Sequence, residues 1–361
     1  MRIREIYFRN VRSFRGEHRI SFVDPLVDEV RPVTVIAGTN GTGKTTIFDT
    51  IEALLRFALE PGVARHPFLD EIDQTGAVCM TLELLPQSQS GSTRTLQLVV
   101  GSEELIPDAY KKAESNTINY ASNAFPGQQD TMALRLQEIL STGSVESGLK
   151  AERALRGGLI YFPQTRQLFP HLNIPGGIQP EPAHSEWVSR VTPPDQWQGS
   201  LEALWVWQNY LDLEAGAYGE KTSYLKSFIE SVEEILGEHR KITVKEGRAM
   251  VPAPWHQNGN GTPKVRLDQL PSGEQQCLLL FGELARRRRP GAVILIDEPE
   301  TSLHPTMQRL VVHQLRKLAR EWDSQLILAT HSLEVLRAVH ESQRLNLDQL
   351  EAQDSQIKEP A

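Results

Sequence analysis

Gly38-Thr39-Asn40-Gly41-Thr42-Gly43-Lys44-Thr45 has the spacing G-x-x-x-x-G-K-T. These residue types suit the binding of a phosphate chain. Glycines let the backbone turn tightly, so that successive N–H groups face phosphate oxygens. The Lys44 ammonium can reach the terminal phosphates, and the Thr45 hydroxyl can ligate Mg²⁺. Asn40, Gly41, Thr42, Gly43 and Thr46 complete the expected cradle. A second group lies far along the chain. Val293-Ile294-Leu295-Ile296 is an apolar run that ends in Asp297 and Glu298. A carboxylate at a strand tip can hold Mg²⁺, directly or through water, and its neighbour can polarise an attacking water. Ser272 and Gly273 open a helix, with Gln275 placed as in a capping box. His331 follows a third apolar run, at the strand end where parallel sheets bind ligands.

These groups need particular elements to hold them. Val33–Ala37 is β-branched and short, which predicts a buried strand. After the glycine loop, Ile47, Ile51, Leu54, Leu55 and Ala58 recur at helical spacing. Strand, phosphate loop and helix therefore follow one another. Further buried strands are expected at 158–163, 292–296 and 325–329, with helices at 278–286, 307–320 and 333–339. Alternating apolar residues from Ile3 to Phe22 predict two antiparallel strands. Two more are expected at 78–85 and 95–100, and helices at 131–140, 201–211 and 225–236. Residues 163–200 are rich in Pro and Gly and read as a long loop or small insertion. Trp187, Trp197, Trp205 and Trp207 all lie between 187 and 207; an insertion core is favoured over a base-stacking or partner surface.

Composition narrows the class. The chain has 361 residues, a net charge of −8 and two cysteines, Cys79 and Cys277. No apolar run is long enough to span a membrane, and no signal-peptide core follows Met1. A disulfide framework is excluded, and a cytoplasmic protein is expected. The acidic balance argues against a surface that coats nucleic acid. A local contact stays open at Arg286-Arg287-Arg288-Arg289, although cations are also favoured at a helix C-terminus.

At this point the residues resemble a known family. Gly38–Thr45, Ser272–Gln276, Ile294–Glu298 and His331 are similar to the Walker A, signature, Walker B and switch-His elements of ATP-binding-cassette ATPases. Ile3–Phe14 resembles the start of the RecF, SMC and OLD-type branch, and Pro299–Pro305 resembles the D-loop of that branch. The implied fold is α/β: an ATPase head with a parallel phosphate-loop sheet, N-terminal antiparallel strands and a mixed helical insertion. The implied organisation is an N-terminal lobe at 1–100, an insertion or lid at 101–262, a C-terminal lobe at 263–340 and a polar, frayed tail at 341–361.

The resemblance also implies roles. ATP and Mg²⁺ would be held by Asn40–Thr46, with Thr45 and Asp297 on the metal. Glu298 would be the general base and His331 the sensor of the γ-phosphate. Ser272 and Gly273 would reach the ATP of an opposite protomer, so a homodimer closing on ATP is expected. Gln164, just after the Ile160–Phe162 strand, is similar to the Q-loop glutamine that touches nucleotide and metal; Arg166 is a second candidate. No coiled-coil arm lies between Thr46 and Leu270, and too few residues follow His331 for a Toprim nuclease. Output is expected through a separately encoded effector such as a nuclease, in anti-phage defence or DNA maintenance, with DNA contact left open. A scaffold ATPase that binds only protein is the alternative.

Overall fold

The computed structural model describes residues 1–60, 66–84, 94–111, 117–121, 157–168, 187–193, 200–218, 241–253 and 263–349. The helices expected at 131–140 and 225–236 lie outside these residues, as does Trp197.

A six-stranded, all-parallel sheet forms the centre. Its strands are β5 (Val33–Ala37), β9 (Leu159–Phe162), β10 (Val188–Arg190), β14 (Val293–Asp297), β15 (Gln325–Thr330) and β16 (Arg344–Asn346), in the order β10-β9-β14-β15-β5-β16. A parallel sheet must be covered on both faces, which explains the near-continuous apolar runs. Alternation then sorts those residues between two cores. Ile36, Tyr161, Leu295 and Ile327 face one; Val35, Ile160, Ile296 and Leu328 face the other.

The first core is closed by helices α1 (Lys44–Leu59) and α2 (Pro67–Thr75) and by a second sheet. That sheet contains β1 (Arg2–Val11), β2 (Phe14–Ser21), β6 (Ala77–Leu84), β7 (Arg94–Gly101) and β8 (Thr117–Ala121), in the order β2-β1-β6-β7-β8. Its first four strands pair antiparallel, as the alternation predicts. Gln325 joins the two sheets. It is fully buried. Its side chain accepts from the Ile3 N–H at 2.6 Å and donates to the Ile3 carbonyl at 2.9 Å. The second core is closed by α4 (Leu201–Ala217), α5 (Ser272–Arg286) and α6 (Pro305–Glu321). The remaining described elements are the hairpin β3 (Val23–Asp24) and β4 (Glu29–Val30), helices α3 (Asp108–Lys111) and α7 (Leu333–Arg337), and a three-stranded sheet. The latter is built from β11 (Thr243–Lys245), β12 (Arg248–Pro252) and β13 (Lys264–Arg266).

Three expectations need correction. First, the segment 101–262 is not wholly inserted: β9 and β10 belong to the central sheet, and α4 packs into the second core. Leu159–Phe162 is apolar on both faces, and only the sheet centre can bury both. Trp187 and Trp205 are buried, but in the first and second cores of the central sheet rather than in a separate insertion core. Second, the stretch after 340 does not simply fray. β16 pairs parallel with β5, and Leu347 is buried. Third, the four arginines are largely consumed by packing. Arg286 and Arg287 pair with Glu283, Arg287 also donates to Ser189 at 2.7 Å, and Arg289 is buried. Arg288 alone in this run is exposed. The desolvated Glu283 and the α5 C-terminus draw the cations inward.

Candidate functional site

The phosphate loop joins β5 to α1. Gly41 and Gly43 have φ of 92° and 97°, a region that favours glycine. Gly43 has a second reason to lack a side chain. A Cβ there would lie 2.7 Å from the Phe14 ring, which stacks on Phe8. The β1–β2 turn thus sets the loop from beneath. Lys44 is buried and donates through Nζ to the carbonyls of Gly38 at 2.6 Å and Thr39 at 2.9 Å. Thr42 Oγ1 donates to the Thr39 carbonyl at 2.9 Å. Asn40 and Gly41 are exposed, while Thr46 is buried in the first turn of α1. From the far end of the chain, Asp348 Oδ1 accepts from the N–H of Thr39 at 3.0 Å and from its hydroxyl at 2.9 Å.

β14 delivers the two acids. Thr45 Oγ1 donates to Asp297 Oδ2 at 3.2 Å, so α1 and β14 meet at their functional ends. Burial raises the Asp297 carboxyl above its ordinary value, against the hydrogen bond from Thr45 and the charge of Arg166. A hydroxyl and a desolvated carboxylate are hard oxygen donors of the kind Mg²⁺ prefers. These two residues therefore fit the metal that the phosphate loop implies. Core burial fixes the strand tip: truncating fully buried Ile296 to alanine would cost about 2–5 kcal/mol and loosen it.

Glu298 turns away from the strand with a φ of 51°. A non-glycine residue in this region needs to be held there. Its N–H donates to the Ala329 carbonyl at 2.9 Å. Its carbonyl accepts from the Thr301 N–H at 3.1 Å and the Thr301 hydroxyl at 2.9 Å. The carboxylate Oε2 lies 2.6 Å from His331 Nδ1. Burial pushes the Glu298 carboxyl up to about 7; the nearby Glu300 adds to the rise and His331 opposes it. A carboxylate with this affinity for protons is suited to take one from water near neutral pH. The His331 side chain is more than half exposed, so the pair opens to solvent.

Arg166 also anchors this corner. It is buried and donates to the carbonyls of Pro163 at 2.9 Å, Asp297 at 2.6 Å and Glu298 at 2.8 Å. Its own carbonyl accepts from Gln276 Nε2 at 3.1 Å, which ties β9, β14 and α5 together. Arg166→Lys keeps the charge but cannot span three carbonyls. We expect it to lower kcat for ATP about tenfold or more, with KM nearly unchanged; a raised KM with kcat unchanged would assign Arg166 to nucleotide binding instead.

The other sequence candidates are placed as follows. Gln164 is exposed just beyond β9. Ser272 and Gly273 begin α5, with the Ser272 side chain exposed. The expected capping box does not form there. Pro271 takes the cap position, and Gln275 Nε2 turns back to the carbonyls of Asp268 at 3.0 Å and Leu270 at 2.8 Å. The fixed φ of proline starts the helix without a side-chain acceptor, and the Ser272 hydroxyl is left out of capping.

Residues 148–337 match a family described as "AAA domain, putative AbiEii toxin, Type IV TA system", over more than half of the chain. The chain belongs to this AAA-domain family. Residues 5–98 match a second family, described as "AAA domain". The phosphate loop falls in the second match and the two acids in the first, so the P-loop ATPase fold of the ABC/AAA type is assembled from both. Among curated proteins, the "Phosphonates import ATP-binding protein PhnC" of Lactobacillus johnsonii is 35% identical over 73 residues. That is 20% of this chain and 28% of the relative. The Lactobacillus gasseri protein of the same name matches equally over 20% of this chain and 27% of its own. The match thus spans about a quarter of these relatives. Among solved structures, the SMC head domain from Thermotoga maritima aligns at 15% identity with a TM-score of 0.40, covering 94% of this chain and 92% of that one. A Pyrococcus furiosus Smc head bound to the C-terminal domain of ScpA aligns at 11% identity with a TM-score of 0.44, over 99% and 100%. Among the described residues, no helix is long and apolar enough to cross a membrane.

Proposed function

We propose that this AAA-domain protein hydrolyses ATP and uses the cycle as a conformational switch. The observation that carries this reading is convergence. Thr45, Asp297, Glu298 and His331 come from three distant segments, yet they form one corner linked by contacts of 3.2 and 2.6 Å. In this reading Lys44 leaves the Gly38 and Thr39 carbonyls to hold the terminal phosphates, and the N–H groups of 40–46 cradle them. Thr45 and Asp297, joined by Gln164, would hold Mg²⁺, which would neutralise charge on the phosphates. Glu298 takes a proton from the attacking water, and His331 contacts the γ-phosphate. The protein contributes mainly positioning and electrostatics, since phosphoryl transfer needs little covalent work.

The exposed Ser272 and the half-buried Gly273 at the start of α5 are read as the surface that meets the ATP of a second copy. ATP then adds contacts that only the closed pair can make, and so shifts the population toward it. Ser272→Arg tests this. It should retain ATP binding within about threefold and lose at least about nine-tenths of turnover. Wild-type turnover would remove Ser272 from the active assembly.

Residues 1–100 and 263–340 are read as the two halves of one ATPase head, with the remainder of 101–262 as the lid or partner-binding part. For biological use, we favour defence or DNA maintenance together with a separately encoded effector such as a nuclease. The toxin–antitoxin wording of the matched family supports a role with a dedicated partner. The protein-scaffold alternative draws support from the packed state of Arg286–Arg289, which leaves little of that run for DNA. Salt-dependent DNA binding at low ionic strength decides between them: a steep salt slope favours the first, and absence of binding the second.

A further inference from the structure

Glu300 is a buried carboxylate to which the reaction just described gives no role beyond raising the Glu298 carboxyl. It is 8% exposed. Its Oε1 accepts from three groups on consecutive residues at the end of β15: the Thr330 hydroxyl, the His331 N–H at 3.3 Å and the Ser332 N–H at 3.1 Å. It does not bond the His331 ring, whose Nδ1 is 4.0 Å away and points to Glu298 instead. Glu300 therefore holds the backbone from which the ring projects, and leaves the ring to its partner.

The other end of the same turn touches a different element. The Glu300 carbonyl accepts from Leu303 N–H at 2.9 Å and closes the 300–303 turn. Within this turn, the Ser302 carbonyl would lie 3.0 Å, and Leu303 Cδ2 3.6 Å, from a Cβ placed on Gly273. The start of α5 thus rests directly on the turn that anchors the His331 loop. Satisfying two N–H groups does not require a charge, and a buried ionised group is costly to desolvate. A neutral acceptor would serve a purely structural need at lower cost. A carboxylate holds more strongly, through charge-assisted bonds to several donors at once.

We propose that Glu300 is the positioning residue for His331, and that it links the start of α5 to the His331 loop. The proposal rests on the reading of His331 as a γ-phosphate contact. Glu300→Ala should raise amide exchange at residues 330–332 by about tenfold or more. It should lower kcat for ATP about tenfold, with KM changed less than threefold. In a His331→Ala background, Glu300→Ala should cause no further loss of kcat, because the two act as one unit. Should Glu300→Ala fail to fold, Glu300→Gln keeps the volume and one acceptor, and is read by the same exchange and the same double-mutant comparison. Unchanged exchange at 330–332 overturns the proposal, and so do kcat losses that simply add. If His331→Ala alone leaves turnover intact, the role of His331 in hydrolysis fails. The exchange measurement then still decides whether Glu300 holds the loop.

Discussion

Lys44→Ala is expected to abolish measurable ATP turnover, with kcat/KM reduced by about 10²–10³ or more, the loss typical when one preorganised charge stabiliser is removed. In the described structure the ammonium is buried between the carbonyls of Gly38 and Thr39. Its position is therefore prepared by the loop rather than by solvent. Alanine removes the charge and also frees the two carbonyls. Two opposing terms then meet: lost charge-assisted bonds, and relief from a desolvated ammonium. The net change in stability should be small, within about 1 kcal/mol. A steady-state phosphate-release assay combined with thermal melting checks both halves. Retained turnover in a folded variant would remove the phosphate loop from the chemistry.

Glu298→Gln should separate binding from hydrolysis. The amide keeps the shape of the side chain but cannot accept a proton, so hydrolysis should fall by about 10²–10⁴ while ATP still binds. ATP-bound dimer should then accumulate, visible by light scattering after gel filtration in Mg-ATP. Normal hydrolysis would show that another group is the base. The same substitution carries a stability signature in the nucleotide-free protein. The Glu298 carboxyl is held at about 7, above its ordinary 4.5, chiefly by burial. Folding therefore favours the protonated form. The stability associated with that form is fully present below about 4.5 and lost as pH rises through about 7. Glutamine does not titrate. Its advantage over glutamate should be near zero below pH 4.5 and reach about 1–3 kcal/mol above pH 7. Melting curves at pH 8 and at the lowest pH the fold tolerates give the comparison; a pH-independent difference would mean that Glu298 is not held in its protonated form.

Much of the architecture could be read from local pattern. A continuous apolar run such as Val293–Ile296 can be buried only in the middle of a covered sheet, and a glycine loop between strand and helix has few other uses. What escaped the sequence depends on partners far apart in the chain. Glu300 lay within the D-loop-like run 299–305, but its role could not be read there, since its three donors lie about thirty residues away. Asp348 sat in a polar stretch that seemed bound to fray, because nothing local shows that Leu347 will be buried beside Gly38. Arg166 was one of two candidates in its loop, and only the fold reveals three carbonyls converging on it. The four arginines failed in the opposite sense. Their local pattern suggested an outward patch, and a buried glutamate one turn earlier redirected them.

The last strand has a practical meaning for anyone who shortens this protein. β16 covers the open side of β5, the strand that runs into the phosphate loop. Cut the chain before Arg344, and the N–H and C=O groups of Val35–Ala37 along that side lose their partners. A row of unpaired backbone groups beside apolar side chains recruits a strand from any neighbour. Such a trimmed protein would associate edge to edge, in pairs or longer stacks that ATP neither forms nor dissolves. Oligomers observed with a shortened chain would then report the missing strand and say nothing of nucleotide-driven pairing.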